Sequence, residues 1–148
     1  MEMYVEGLGN QWYNAMPRTG RVYRLIDEAV SGRSRIARVR AIAALGESDD
    51  PRAVRPLVGC CTDKDALIRK HAIEALRKLR SGRAVNVLID RLGDRNELPA
   101  IRMGAARALA AIRSDTALHG LKRHLSDTRE DPVLHSYIGD VLERLQAR

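Results

Sequence analysis

The sequence predicts an all-α fold, a right-handed α-solenoid (α-α superhelix) of about four stacked helix pairs, and three observations carry that expectation. First, Ala44-Leu45, Ala75-Leu76, Ala108-Leu109 and Val141-Leu142 recur at spacings of 31, 33 and 33 residues. Second, other columns keep the same step, among them Leu57, Leu88 and Leu121, and Asp63, Asp94 and Asp127. Third, residues able to cap helix N-termini fall in register with those columns. A period of this length belongs to two-helix units stacked in a row, each hiding its apolar stripe only against its neighbours.

Taken in order, residues 1–18 lie outside the register and are expected to form an N-terminal capping segment or arm. Four of the five aromatics fall in the first 23 residues: Tyr4, Trp12, Tyr13 and Tyr23. Trp12 and Tyr13, with Met16, either cover the open stripe of the first repeat or insert into a partner, since such rings dominate binding hot spots. Residues 19–148 form the repeat domain, with approximate repeats 20–48, 49–80, 81–113 and 114–148. Thr19, Asp50, Ser81 and Ser114 stand before the first helix of each pair, and Ser34, Asp65, Leu98 and Asp131 before the second. All but Leu98 offer an oxygen to unpaired first-turn amides. Pro51, Pro99 and Pro132 suit the first helical turn.

Helical spacing then defines the inward stripes. In the second helices these are Ala37, Ala41 and Leu45; Ile68, Ala72, Leu76 and Leu79; Ile101, Ala105, Leu109 and Ile112; and Leu134, Ile138, Leu142 and Leu145. The first helices supply Val54, Leu57 and Cys61, then Val85, Leu88 and Leu92, then Leu118, Leu121 and Leu125. The turn inside the third and fourth repeats is two residues longer, Asp94 to Ile101 replacing Asp63 to Ile68, which accounts for the change from 31 to 33.

Composition narrows the function classes. The chain has no Phe, and small aliphatic residues supply its core, as close helix stacking requires. Net charge is +7, and 22 of the 26 bases are arginine. Bases and acids interleave, with residues 1–20 at −1, three blocks at +3 each, and residues 114–148 at −1. A salt-bridge-laced surface follows more directly from this than a phosphate track. The adjacent Cys60 and Cys61 make no disulfide framework and point to a reducing compartment. Apolar runs such as Ala41–Leu45 and Ala108–Ile112 are too short to span a bilayer. Glu2 and Glu6 at the start do not suit a signal peptide, so a cytoplasmic location is expected.

The columns resemble the HEAT-repeat superfamily, specifically the short repeats named after phycobiliprotein lyases. The resemblance rests on Ile68-Arg69, Ala72, Ala75-Leu76 and on Ile101-Arg102, Ala105, Ala108-Leu109, with Ala37-Arg38, Ala41, Ala44-Leu45 in the first repeat. The last repeat departs from it, with Leu134-His135, Ile138 and Val141-Leu142. The resemblance covers roughly residues 20–148. It implies a ladder between neighbouring repeats, with Asp63, Asp94 and Asp127 on one side and Arg38, Arg69 and Arg102 on the other. About activity it implies little, because the superfamily includes scaffolds, chromophore lyases, hydroxylases and DNA-repair proteins.

Chemistry is sparse. Di-iron enzymes of this fold carry repeated His-Glu dipeptides as metal ligands, whereas the residues after the four histidines here are Ala72, Gly120, Leu125 and Ser136. His119 and His124 are five apart and so point to different helix faces. There is no Gly-rich phosphate loop and no Gly-x-Ser-x-Gly. Cys60 is the more exposed candidate of the thiol pair, Cys61 filling a core column. No catalytic residue, cofactor or metal site is therefore expected. The expected function is a scaffold that binds a protein partner on the concave face of the second helices, centred on Lys70, Glu74, Arg77, Met103 and Arg107. Two alternatives are a nucleic-acid-binding module, in which arginines grip phosphates, and a chromophore- or cofactor-handling lyase-type subunit using Cys60.

Overall fold

A computed structural model describes residues 20–127 and 129–147. Eight α-helices follow one another there in four antiparallel pairs: α1 (Arg21–Ser31) and α2 (Arg35–Glu47), α3 (Val54–Cys60) and α4 (Ala66–Leu79), α5 (Val85–Gly93) and α6 (Pro99–Ile112), α7 (Asp115–Leu125) and α8 (Pro132–Gln146). Short 3₁₀ turns at Pro51–Ala53 and Gly82–Ala84 lead into α3 and α5. Every extensive helix–helix contact joins elements of one repeat or of adjacent repeats. The fold is thus a row of helix pairs.

Caps set the boundaries. Ser34 accepts from the Ala37 amide, Asp50 from Arg52, Asp65 from Leu67, Ser81 from Arg83, Ser114 from Ala117 and Asp131 from Leu134. Leu98 offers no cap, and Pro99 begins α6 without needing an amide partner. Thr19 lies outside the described residues, as do Trp12 and Tyr13; the cap position of α1 is Gly20, whose φ of +98° needs a residue without a Cβ. The second helices end in a way the sequence columns did not announce. Asp49, Arg80 and Arg113 occupy equivalent places and all adopt left-handed φ of 52°, 52° and 59°. Each directs the chain into the cap of the next repeat.

The core is one continuous cluster running the length of the row. Ile42, Leu45, Leu57, Ile68, Leu76, Leu88, Ile101, Leu109, Leu121 and Ile138 are almost wholly excluded from solvent. Most of the expected stripe is buried, whereas Ala37, Leu79, Ile112, Leu118, Leu125 and Leu145 are only half-buried. Cys60 corrects the sequence reading: it is 4% exposed and Cys61 is fully buried, so neither thiol reaches the surface. Gly46 is buried where α2 meets α4, and a Cβ there would lie 2.9 Å from both Cα and Cβ of Ala75. Glycine and alanine at this crossing let the second helices approach backbone to backbone.

Two glycines should therefore respond oppositely. Gly46→Val should lower unfolding free energy by about 1–3 kcal/mol, since neither neighbouring backbone can give way. Gly59→Ala, in α3 with open space around its Cβ position, should raise it by about 0.5–1 kcal/mol through helix propensity. Urea unfolding followed by circular dichroism measures both.

Candidate functional site

The arginines divide into those spent on holding repeats together and those left over. Arg38 donates from Nη2 to Asp63 Oδ2 at 2.7 Å and from Nε to the Ala29 carbonyl at 2.9 Å. Arg69 grips Glu97 with both Nε and Nη2, at 2.9 and 2.8 Å. Arg102 meets Glu130 Oε2 at 2.7 Å and the Leu92 carbonyl at 2.8 Å. Each arginine reaches from the second helix of its own repeat to the carboxylate of the following one. The two later rungs are the more buried: the Glu97 side chain is 1% exposed and that of Glu130 is fully buried.

Asp94 and Asp127 are therefore not the partners of Arg69 and Arg102. Asp94 accepts from the Asn96 amide and pairs with Arg91 at 3.4 Å. Asp127 accepts from the Arg129 amide at 3.0 Å and pairs with Arg129 and with Arg95 of the preceding repeat. The two extra turn residues explain the exchange. They place a glutamate, one methylene longer than aspartate, immediately before the start of α6 and α8. There it accepts from the next residue's amide, Leu98 at 3.0 Å and Asp131 at 2.9 Å. Glu97 and Glu130 are 33 apart, so their column was available to the eye.

Charge states follow the geometry. Burial alone would raise Glu97 and Glu130, but donors from Arg69 and Arg102, with the adjoining amides, outweigh it and hold both below the usual carboxylate range. Asp63 is lowered chiefly by its hydrogen bond from Arg38. His124 belongs to the same network, with Nδ1 3.1 Å from Glu130 Oε2. Burial pushes the Cys60 thiol up and the Cys61 thiol up to about 12, which leaves both as protonated core groups. Between α5 and α7 lies an open cleft of about 500 Å³ bordered by Asp90, Asp94, Arg123, His124 and Asp127. Among the described residues no three His, Cys, Asp or Glu side chains stand together in a way that could hold a metal ion.

Several of the remaining charges lie on the face of the second helices. Lys70 is exposed on α4; Glu74 and Arg77 pair with each other at 2.6 and 2.9 Å. Arg77, first, then Lys78 and Arg107 hold Glu74 low. Lys78 reaches Glu47 across the α4–α2 crossing. Met103 is half-buried and packs on the core, so it supports the face more than it projects from it. Arg107 is exposed on α6, and its guanidinium lies 5.9 Å from the ring centroid of Tyr137 on α8. Tyr137 is the residue the sequence reading passed over; its signal was being the one aromatic beyond the first 23 residues.

Sequential helix pairs, an apolar spine and cross-repeat ion pairs define a helical-repeat protein. The particular family follows from comparison: a HEAT-repeat profile matches residues 23–98, and a PBS lyase HEAT-like repeat profile matches 101–127. The chain belongs to the HEAT-repeat family. It is similar to deoxyhypusine hydroxylase of Rattus norvegicus, 34% identical over 91 residues, which is 62% of this chain and 30% of that protein. The Homo sapiens enzyme is 32% identical over the same length and shares. The solved structure of human deoxyhypusine hydroxylase in complex with glycerol superposes with a TM-score of 0.75 at 26% identity, over 86% of this chain and 44% of that one. The chain spans about a third of the length of the curated relatives it matches.

The ladder makes a prediction in acid. Because Glu97 and Glu130 are held low in the fold, their contribution is complete above the ordinary carboxyl value of 4.5 and is lost as pH falls through the lowered folded values. Glu130→Gln should remove part of that acid limb and cost about 3–5 kcal/mol at neutral pH, since it strands the buried Arg102 charge. Glu74→Gln, at an exposed pair, should cost under about 1 kcal/mol. Denaturant midpoints between neutral and acid pH compare the two, and equal small losses would contradict the assignment.

Proposed function

We propose that the chain is a non-catalytic scaffold or adaptor that binds a protein partner on the face formed by its second helices. One observation carries this reading: Lys70 and Arg107 project from that face and form no ion pair among the described residues, while the turn-edge arginines are taken up by the ladder. Exposed cations without a carboxylate partner, over half-buried apolar support such as Met103, suit a recognition surface. The face is mixed in character. Val39 and Ala43 lie toward its first repeat, Lys70, Glu74, Arg77 and Arg107 in its middle, and Asp140 and Glu143 toward its end. A protein surface matches such a gradient better than a phosphate backbone does.

Similarity to deoxyhypusine hydroxylase extends over a fraction of that enzyme, and no histidine here is followed by glutamate. The reading is therefore of the repeat scaffold used for binding, without hydroxylase chemistry. Burial of Cys60 speaks against a covalent adduct of the lyase type. Two buried free thiols suit a reducing compartment such as the cytoplasm. No described helix is long and apolar enough to cross a membrane.

Arg77→Glu with Arg107→Glu tests the assignment. Affinity capture from the native host, read by quantitative mass spectrometry, should lose the partner by about tenfold or more while far-ultraviolet circular dichroism is unchanged. Undiminished capture would move the site off this face.

A further inference from the structure

The end of the second-helix face nearest the last repeat is chemically distinct. The Tyr137 ring packs against the core at its base, and Arg107 of the preceding repeat lies over it at 5.9 Å from the centroid. Arg144 stands two helical turns further along α8, on the same side as Tyr137. Burial raises the Tyr137 phenol, while Arg107, Arg144 and Arg77 pull it the other way. Arg107 thus lies over the ring, and Arg144 stands on the same side of α8.

The chain leaves two of these charges unneutralised. Arg77 is held by Glu74. Arg107 makes no ion pair among the described residues, and Arg144 reaches only the Asp140 carbonyl, at 3.4 Å. Asp140 and Glu143 are exposed on α8, yet neither forms an ion pair with Arg107 or Arg144. Other arginines do reach a carboxylate of the adjacent repeat, as Arg35 reaches Asp65 and Arg95 reaches Asp127. An exposed guanidinium without a carboxylate, set beside a tyrosine, is a place for a carboxylate from outside.

Resting on the reading that this face binds a protein, we propose that the segment seated there is acidic. Glutamate or aspartate side chains of the partner pair with Arg107 and Arg144, and the chain between them lies over the ring of Tyr137. A protein carboxylate fits better than a nucleic-acid backbone, because the positions equivalent to Arg107 in the preceding repeats are Glu74 and Ala43, so this cation does not recur along the row. A phosphate track would need cations to continue along the row.

Fluorescence anisotropy with a labelled hexaglutamate peptide tests this, with single-stranded oligodeoxythymidine as the rival probe. Arg107→Ala with Arg144→Ala should weaken hexaglutamate about tenfold. Arg55→Ala with Arg83→Ala, exposed arginines of the first-helix side, removes the same net charge and should leave binding within about twofold. Equal weakening by the two double variants would overturn the proposal, showing attraction to net charge alone. So would oligodeoxythymidine binding more tightly than the peptide through the same two arginines. The native partner separates this inference from the one beneath it. If capture is lost with Arg77→Glu and Arg107→Glu but hexaglutamate does not compete for the partner, the acidic chemistry fails and the protein-binding face stands. Capture that those substitutions leave intact overturns both.

Discussion

A guanidinium taken out of water must be met by a carboxylate, and in the three ladder rungs that carboxylate belongs to the next repeat. Arg102 is the clearest case, its side chain 9% exposed against a fully buried Glu130. Removing either member alone would strand a charge at a cost of several kcal/mol. The rung therefore tolerates little sliding between repeats. Apolar stripes of Ala, Leu and Ile supply the driving force for stacking but are forgiving about register. The ion pairs add the directional constraint, and the close crossing at Gly46 and Ala75 adds the steric one.

That division of labour explains the composition. An arginine excess in a protein of this charge first suggests a polyanion ligand. The structure instead accounts for much of it internally, through Arg38, Arg69 and Arg102 between repeats and Arg52, Arg91 and Arg129 within turns. Exposed cations without an ion pair among the described residues remain on both helix layers, and among them Arg107 lies over the ring of Tyr137. Function is read most economically from those residues, because the fold does not need them. Their positions depend on the ladder all the same, since it fixes how α6 is set against α8.

The repeat period, the caps and the core columns were legible because each depends on local spacing repeated several times. Of the seven expected side-chain caps, six accept a first-turn amide, and the seventh, Thr19, lies outside the described residues. The ladder was legible on the arginine side and misread on the other. Asp94 and Asp127 keep the column of Asp63, but the longer turns swing them away and bring Glu97 and Glu130 into reach. Column identity was a weaker guide than distance along the turn. Left-handed Asp49, Arg80 and Arg113 were invisible because none is the glycine that normally marks such a position. Cys60 was misplaced because, three residues after Leu57 on α3, it shares the buried stripe of Val54 and Leu57 while Cys61 is buried beside it. Tyr137 was missed because its meaning lies in Arg107, thirty residues away in another helix.

The central claim is that each repeat is held by its immediate neighbours alone. Native-state hydrogen exchange at low denaturant tests it most directly, because it resolves the opening free energy of each helix. Amides of α4 and α6, covered on both sides, should show the highest protection, with α7 and α8 opening at lower free energy than they do. A single protection level shared by all eight helices, unchanged as denaturant is lowered, would contradict the claim.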